Sequence, residues 1–568
     1  MRKHRVLSLW ICILFGVGGG ALLRAQAPEP ETILFNGKII TVDRNFSYAQ
    51  ALAIASGKIV AVGTNDAIRN RAGARTRQID LKGKTVIPGL ADNHLHSVGG
   101  GPGVDLSRVR TLPELLEAIQ ARVRASRPGD LIVSNSDWHE AQLQEQQLPL
   151  RRDLDKVSPD NPVVIVRGGH EYILNSRALR KWEIHENTPV PSGGGISRYA
   201  DGTLNGELID TAKALVKLPP PPQQDLETRI RERQEDYRIL NAAGLTSVRH
   251  PGGPVEQYQF LQEMERRGLL TLRVNYLVRL GGVQKAEEVA ARVASWNLKP
   301  DEGGEWLRIW GIKLGVDGGF EGGLMTEPYE EPYGQGGAYK GLQTVREVTH
   351  TEITKELARL GWRVATHAVG DAAIDQVLRA YEAANKVRPL AGRRWAIEHA
   401  FVPRLDHFPI LNRLQVMISA QNHLYLAGPS LKKYWGEKRA NWVTPMRAYL
   451  DNLSNKMAVS AGTDAAVVPY PPLWVIYHFV TRDTISGGVY GREQRIRREE
   501  ALRLSTINHA YLNFEENLKG SLEPGKVADL VVLSDDIMTC PEERIRDMSV
   551  LLTMVGGKIV YQQKDFSF

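Results

Sequence analysis

Residues that bind divalent metals recur at the ends of strand-like segments in this chain. His94 and His96 stand two apart in GLADNHLH, just after an apolar run. The period-two alternation of an extended chain points both imidazoles the same way. Further candidates follow later strand-like segments, namely Lys313, His367, His399 and Asp464. Imidazole and carboxylate suit zinc or a similar divalent ion, so these residues predict a metal site if the strands bring them together.

Lys313 needs a separate explanation, because an ammonium group repels a cation. Burial and nearby positive charge both lower a lysine pKa, and a neutral amine can take up carbon dioxide to become a carbamate, an anionic ligand that can bridge two metals. The alternative is a buried structural lysine that pairs with Asp317. The residues alone favour neither interpretation.

The elements that must position these residues alternate between strand-like and helix-like segments. Amphipathic stretches such as TEITKELARL from Thr351 separate most of the strand candidates. This alternation predicts an α/β protein with a parallel (β/α)₈ TIM barrel, in which side chains at the carboxyl ends of the strands meet at one mouth. The eight strand candidates are TVIPGL (from Thr85), LTSVRH (Leu245), TLRVNYLV (Thr271), LRIWGIKLGV (Leu307), WRVATHAV (Trp362), RWAIEHA (Arg394), QVMISAQ (Gln415) and KMAVSAGTD (Lys456).

Both chain ends contain short apolar segments interrupted by glycine, such as ILFNGKIITVD from Ile33 and TMVGGKIVYQ from Thr553. This pattern is typical of tight β-hairpins. We therefore expect a small β-sandwich domain made from residues 28–88 and 511–568, with the barrel in residues 89–510. Residues 97–235 are too many for a loop after the first strand and predict an inserted lobe beside the barrel mouth.

Residues 1–27 have the three parts of a secretory signal peptide: a basic start, an apolar run from Val6 to Val17, and small residues before Pro28. The apolar run is shorter than the roughly 20 residues that span a membrane, and an uncleaved N-terminal anchor stays open as the alternative. We expect an exported protein, periplasmic or secreted, with no other membrane association.

Removal of this segment changes the charge of the chain. The net charge falls from +7 to +3, because four basic residues and no acidic residue leave. No basic stripe with interleaved aromatic residues is present, so we do not expect nucleic-acid binding.

Of the two cysteines, Cys12 leaves with the signal peptide and Cys540 stays, which excludes an internal disulfide. With 42% hydrophobic residues in 568, the composition is that of a globular protein and not of a disordered one.

Several segments resemble the amidohydrolase superfamily, specifically its third amidohydrolase family of YtcJ-like metal-dependent hydrolases. The resemblance covers nearly the whole chain after residue 27 and rests on VIPGLADNHLH, WGIKLGVDGG, VATHAVGDAAID, AIEHA, SAGTDA and GSLEPGKVADLVVLSD. It implies a (β/α)₈ barrel, a small β-sandwich from both termini, and two divalent ions, expected to be zinc. The implied ligands are His94, His96 and Asp464 on one ion, His367 and His399 on the other, and Lys313, carboxylated by carbon dioxide, as the bridge.

Two positions depart from the usual pattern of this family, both where substrate would be sensed. The run from Ala420 to His423 stands where Gln-Pro-x-His is usual, and Arg249 with His250 stands where a His-Asp pair is more frequent. For His170 and His423 a structural hydrogen bond is the alternative role, and for Trp138 the alternative is packing of the lobe. Arg249 and Arg482 are candidates to hold a substrate carboxylate, unless they are paired elsewhere. The candidate substrate-binding residues are His170, His423, Trp138, Arg249 and Arg482.

The expected function is hydrolysis of a carbon–nitrogen bond in a small amide, formamide or cyclic amide, an EC 3.5 type of reaction. A metal-bound hydroxide would attack the carbonyl carbon, and Asp464 would pass its proton to the leaving nitrogen. A hydrolytic deaminase is the alternative enzyme, but such sites generally have one metal and a glutamate where this chain has Gly370, followed by Asp371. A non-catalytic binding protein is the third possibility. The complete ligand set argues against it.

Overall fold

The computed structural model describes residues 29–566, apart from positions 221, 222, 282 and 284. The predicted signal peptide, residues 1–27, lies outside the described residues. Within the described part of the chain, none of the helices combines the length and the apolar character that a bilayer crossing needs.

The chain begins with short strands that are distributed between two sheets. A four-stranded sheet has the order β5-β4-β1-β6, while β2, β3 and β7 belong to a second sheet. Gly57 occupies the left-handed turn between β4 and β5 with a φ of 74°, which favours glycine. The elements are β1 (Thr32–Phe35), β2 (Lys38–Ile40), β3 (Tyr48–Ala49), β4 (Ala51–Ala55), β5 (Lys58–Gly63), α1 (Asn65–Arg69), β6 (Arg77–Asp80) and β7 (Thr85–Pro88).

The segment predicted as the first barrel strand is divided between two sheets. Strand β7 pairs with terminal strands, and the barrel strand is the following β8 (Leu90–Asp92). Gly89 separates them, and a Cβ at this position would lie 2.2 Å from Thr246 Oγ1. The prediction of one continuous strand is therefore wrong: proline and glycine interrupt it where the chain passes closest to the second barrel strand.

The inserted lobe has its own five-stranded sheet with the order β12-β13-β11-β10-β9. Its helices cover apolar clusters that include Leu115, Leu154 and Ile165 on one side and Leu179 and Leu208 on the other. The elements are α2 (Leu112–Arg124), β9 (Ile132–Val133), α3 (Arg151–Val157), β10 (Val163–Arg167), β11 (Glu171–Leu174), α4 (Ser176–Lys181), β12 (Gly194–Arg198) and β13 (Leu204–Asp210).

The barrel resumes with helix α5 (Leu226–Ala242), whose Ile230 and Leu240 belong to the main hydrophobic core. The predicted lobe boundary at residue 235 therefore falls inside a helix that packs on the barrel. The remaining barrel elements alternate as strand and helix: β14 (Leu245–Gly253), α6 (Val255–Arg266), β15 (Arg273–Arg279), α7 (Ala286–Ser295), β16 (Leu307–Gly315), α8 (Glu347–Arg359), β17 (Val364–Ala368), α9 (Asp371–Val387), β18 (Ala396–His399), α10 (His407–Leu414), β19 (Met417–Gln421), α11 (His423–Trp442), α12 (Met446–Asn452), β20 (Val459–Gly462) and α13 (Pro472–Thr481).

Eight parallel strands form the barrel in the order β8-β14-β15-β16-β17-β18-β19-β20. Hydrogen bonds between the first and last strand regions close the ring: Asn93 N donates to Ala461 O at 3.3 Å, and Asp464 N donates to His94 O at 2.7 Å. The predicted TIM-barrel fold is confirmed. Because all strands run the same way, every carboxyl end opens at one mouth.

The C-terminal segment returns to the strands of the N-terminus. Its strands continue a six-stranded sheet, β23-β22-β21-β7-β2-β3, that contains both chain ends. This sheet packs on the four-stranded sheet through a shared cluster that includes Leu34, Leu52, Val86, Leu530 and Leu552. The elements are α14 (Arg498–Leu504), α15 (Ile507–Leu512), β21 (Leu530–Leu533), α16 (Arg544–Asp547), β22 (Val550–Val555) and β23 (Lys558–Gln562).

Candidate metal centre and substrate cavity

Three of the predicted ligands converge at the barrel mouth. His94 follows β8, His399 ends β18, and Asp464 follows β20, and each of them is buried. One ligand atom from each residue lies within 4.8 Å of the others. Nε2 of His94 and of His96 lie 3.4 and 3.3 Å from Asp464 Oδ1, which accepts no hydrogen bond from any described residue. A buried carboxylate oxygen without a donor, facing imidazole nitrogens, fits a bound cation.

Two buried side chains fix the rings of these histidines. His94 Nδ1 lies 2.7 Å from Glu398 Oε2, and His399 Nδ1 lies 2.7 Å from Gln421 Oε1. Each acceptor keeps the proton on Nδ1 and leaves Nε2 with its lone pair. Metal-binding histidines in proteins are almost always held by such a second hydrogen bond, which orients the ring and fixes its tautomer. The two rings are thus prepared for coordination through Nε2.

His367 lies beside this group in the opposite ring orientation. Its Nε2 lies 3.1 Å from Gly318 O, which leaves Nδ1 as the free nitrogen. Its ring centroid is 4.5 Å from that of His399, which in turn is 4.9 Å from that of His94. His367 of β17 therefore extends the histidine cluster through His399, as a second metal position would require.

Lys313 lies buried in β16 and lines the same cavity. Burial lowers its pKa to about 8, and the charges of Arg279 and Arg249 act in the same direction, against Glu398 and Asp464. At that pKa a fraction of the side chain is a neutral amine at neutral pH, the form that takes up carbon dioxide.

The structural alternative for Lys313, a pair with Asp317, is not formed. The ammonium group makes no hydrogen bond or ion pair with any described residue. Asp317 instead accepts the backbone N–H groups of Leu324, Val369 and Gly370 at 2.9 to 3.1 Å. Burial raises its pKa to about 8 against these bonds.

Neighbouring positive charges hold the side chains of Glu398 and Asp464 in their ionised form. Burial opposes the ionisation of Glu398, but Arg249, Lys313 and His94 overcome it and hold its pKa well below the usual range. Burial also opposes the ionisation of Asp464, but His94, His423 and His96 overcome it and hold its pKa well below the usual range. Burial also lowers the pKa of His94 to about 4, so its imidazole is neutral at pH 7. Ionised carboxylates and neutral imidazoles are the forms that bind metals.

Sequence reasoning missed the residues that support the ligands. Glu398 stands in the apolar strand β18, and a charged residue in a buried strand is a signal that could have found it. Asp92 is a second omission: its Oδ1 accepts from His94 N at 2.8 Å, and its Oδ2 accepts from Thr463 Oγ1 at 2.6 Å. Burial raises the pKa of Asp92 to about 7. Gln421, in the run from Ala420 to His423 that departs from the family pattern, belongs to the same group of supporting residues.

Three of the five predicted substrate-binding residues lie at the site. His170, from the lobe, lines the cavity, and its Nδ1 is 2.6 Å from Asp210 Oδ1. His423 is buried, with Nε2 3.1 Å from Asp464 Oδ2. Trp138 is also buried, lines an inner pocket next to the cluster, and donates from Nε1 to Val166 O at 2.9 Å.

The two predicted substrate-binding arginines lie elsewhere, and their expected role is corrected. Arg249 is fully buried under the cluster, where Nη1 donates to Glu398 Oε1 at 2.6 Å and the guanidinium lies over Trp310. Arg482 is equally buried and donates to backbone carbonyls, among them Tyr490 O and Val443 O. Because both guanidinium groups are fully buried and neither residue lines the cavity, neither can receive a substrate carboxylate.

The space around the cluster has two parts. An open cavity of about 600 Å³ is lined by polar residues that include Lys213, Arg279 and Asp210. A smaller pocket of about 40 Å³ lies between the lobe and the barrel and is lined by aromatic residues that include Trp138 and Phe401. Both parts reach His170, His367, His399 and Asp464. A substrate held at these residues can therefore extend either into the polar cavity or into the aromatic pocket.

The barrel and its metal-ligand cluster define a metal-dependent hydrolase of the (β/α)₈ class. The sequence pattern of the amidohydrolase family matches residues 77–561, and the chain belongs to this family. The N-substituted formamide deformylase of Arthrobacter pascens is 28% identical over 551 residues, which are 94% of this chain and 98% of that protein. YtcJ of Bacillus subtilis is 26% identical over 549 residues, 94% of this chain and all of that protein.

Among solved structures, an uncharacterized metal-dependent hydrolase from Pyrococcus furiosus superposes with a TM-score of 0.63 at 26% identity. It covers 89% of this chain and 100% of its own. The resemblance predicted from the sequence motifs is confirmed. The protein is a hydrolase that acts on carbon–nitrogen bonds other than peptide bonds, the EC 3.5 class.

Proposed function

We propose that the protein hydrolyses a small amide, formamide or cyclic amide at a site with two divalent ions, zinc being the expected metal. His94, His96 and Asp464 would hold one ion, His367 and His399 the other, and carboxylated Lys313 would bridge them. The observation that carries this proposal is the convergence of free Nε2 atoms from His94 and His399 on Asp464, each ring fixed by its own buried acceptor. Such ions polarise a carbonyl group and lower the pKa of water from about 16 to near 7, which supplies hydroxide at neutral pH.

The residues of this chain supply the proton transfer. Asp464 lies at the cluster with one oxygen near two histidines and the other 3.1 Å from His423 Nε2. A carboxylate that is held in its ionised form can accept a proton from the attacking water and donate it to the leaving nitrogen. His423 would keep the carboxylate in position during this transfer. His170, held by Asp210, would contact the carbonyl oxygen from the lobe side.

Two residues that follow barrel strand β17 argue against the deaminase alternative. A glutamate three residues after His367 would replace Gly370, where a Cβ would lie only 1.9 Å from Leu324 O. The next residue, Asp371, is turned to another task, since its Oδ1 accepts from Thr326 N at 2.9 Å. The carboxylate that a deaminase would need at this position therefore has no room. Hydrolysis of an amide bond agrees better with this geometry.

An activity panel tests the proposed function. Purified protein is loaded with zinc and given N-formyl, N-acyl, cyclic amide and ester compounds, and the release of amine and acid is measured. We expect turnover of at least one amide class and loss of that turnover in Asp464→Asn. Turnover confined to esters, or none on any amide by fully metal-loaded protein, would contradict the proposal.

We also propose that the protein is exported by a cleaved signal peptide, on the pattern of residues 1–27. Cell fractionation followed by mass spectrometry of the N-terminal peptide tests this. We expect the protein outside the cytoplasm with a new N-terminus near residue 26. An intact N-terminus in the membrane fraction would support the anchor, and recovery from the cytoplasm would refute export.

A further inference from the structure

Arg279 lies at the carboxyl end of barrel strand β15 and lines the open cavity. Its neighbour in the sheet register is Lys313 of β16, and the following Leu280 N donates to Lys313 O at 3.2 Å. The backbone therefore fixes Arg279 at the same level of the barrel as the proposed bridging lysine. The side chain itself is exposed to the cavity.

The charge of Arg279 is only partly balanced within the protein, by the carboxylate of Asp464, which forms no ion pair with it. Its guanidinium forms no hydrogen bond or ion pair with any residue that the structure describes, and it is the one guanidinium among the described residues that line the open cavity. Lys213, the neighbouring cation, donates to Gly169 O. The carboxylates of the cavity have other partners: Asp210 holds His170, Asp317 accepts backbone N–H groups, and Asp464 faces the histidines of the cluster.

Size decides which part of a substrate can reach Arg279. The smaller pocket of about 40 Å³ has room for roughly three water-sized groups. The open cavity is about 600 Å³, which suits the larger part of a small molecule. A substrate whose amide lies at the cluster must therefore extend its longer substituent into the open cavity, where Arg279 lies.

We propose that Arg279 binds a carboxylate on this substituent, so that the protein acts on amides of amino acids or similar acids. The proposal rests on the proposed function and names its substrate class. A guanidinium presents a rigid fork of donors that matches a carboxylate in a bidentate geometry, and such charge-assisted pairs are the strongest hydrogen bonds in proteins. The arginines at 249 and 482 cannot take this role because both are buried in other contacts.

Binding of compounds that cannot be hydrolysed tests this without any turnover. In 4-oxopentanoate, 5-oxohexanoate and 6-oxoheptanoate a methylene group replaces the amide nitrogen, and the series places the carboxylate at increasing distance from the carbonyl. The neutral controls are the ω-hydroxy ketones of the same chain lengths. Calorimetry on the zinc-loaded full chain measures each affinity in wild type, Arg279→Gln, Arg279→Lys and Arg292→Gln. Arg292 lies exposed on α7, outside the cavity lining, and controls for the change of net charge.

We expect wild type and Arg292→Gln to prefer the carboxylate of one chain length by roughly 10- to 100-fold over its alcohol. Arg279→Gln should lose this preference, and Arg279→Lys should retain part of it, because lysine keeps the charge without the fork. Thermal unfolding should show that Arg279→Gln is folded, since no protein contact of the guanidinium is lost.

Two outcomes would overturn the role of Arg279: no preference for carboxylates in wild type, or an unchanged preference in Arg279→Gln, which would assign carboxylate binding to the metals. The result is separable from the proposed function. A protein that hydrolyses none of the amide panel but shows a preference that depends on Arg279 would refute amide hydrolysis and retain the carboxylate site.

Discussion

The two sides of the site are held together in different ways. On the barrel side, His94 and His399 are fixed by Glu398 and Gln421, which stand on the ligand strands or on the strand beside them. On the lobe side, the loop that carries His170 depends on an ion network with partners from remote parts of the chain. The barrel side is thus set by the register of one sheet, and the lobe side by the contact of two separate sheets.

The lobe network is centred on one buried arginine. Arg167 forms a bidentate pair with Glu140 at 2.8 Å for both bonds, and it also contacts Glu321 of the loop after β16. Tyr434 of α11 donates to Glu140 Oε1 at 2.7 Å. Buried pairs of this kind are costly to break, because the charge that remains has neither its partner nor water to stabilise it. Metal binding and lobe docking therefore depend on different contacts, and a substitution can damage one without the other.

The largest effect is expected for Asp464, which faces three histidines of the cluster. Asp464→Asn removes the proton acceptor and weakens a metal ligand, so we expect turnover to fall by at least about 1,000-fold. Steady-state kinetics with circular dichroism checks the loss against the fold. A near-normal rate in this variant would exclude Asp464 as the proton carrier.

Glu140→Gln should damage the lobe side alone. Loss of the Glu140 charge leaves buried Arg167 with Glu171 and Glu321 as its remaining partners, so we expect a cost in unfolding free energy below the roughly 3–5 kcal/mol that follows loss of a sole partner. Chemical denaturation measures the change, and metal content should stay at the wild-type value. Asp201→Asn is the matched control, because its pair with Arg152 is exposed and its loss should change stability little. Loss of metal from Glu140→Gln would show that the two sides are not independent.

Glu398→Gln should damage the barrel side. The substitution keeps the shape but removes the charge that orients His94 and pairs with Arg249. We expect metal affinity to fall by about 10- to 100-fold, as for other residues that hold metal ligands. Competition with a chelator measures the affinity, and Glu352→Gln on the exposed face of α8 is the control. Unchanged affinity would mean that Glu398 has a structural role only.

The smallest effect concerns acid on the lobe side. Burial, with Arg167 and His423 against Glu140, lowers the pKa of His139 to about 3. The unfolded chain, with a histidine pKa near 6.5, takes up the proton first, so stability falls as the pH drops below about 6.5. Between pH 7.5 and 5.5 this histidine should cost about 1.4 kcal/mol. Denaturation at both pH values should show a shallower loss in His139→Gln, and an equal loss would assign the effect to other groups.

The predictable part of the site is the part that one sheet positions. His94, His96, His367, His399 and Asp464 follow predicted strands, and parallel strands bring their carboxyl ends together whatever the loops do. The exact start of the barrel was not predictable in this way, because TVIPGL reads as one apolar strand and only the close approach of Gly89 to Thr246 divides it.

Contacts between distant parts of the chain account for what the sequence did not reveal. Arg249 was expected to face substrate, but its partner Glu398 is 149 residues away, and nothing in the local pattern shows that the pair is buried. Arg167 and Glu321 are 154 residues apart and meet only when the lobe docks. Arg279 was not singled out at all, since a surface arginine and an arginine in a cavity have the same sequence pattern.

The most direct test of the central claim is the metal content of purified wild-type protein and of Lys313→Ala, measured by mass spectrometry of the bound metals after dialysis. We expect about two divalent ions per wild-type chain and a clear loss in the variant, because the bridging ligand is absent. One ion per chain that is unaffected by Lys313→Ala would contradict the two-metal centre.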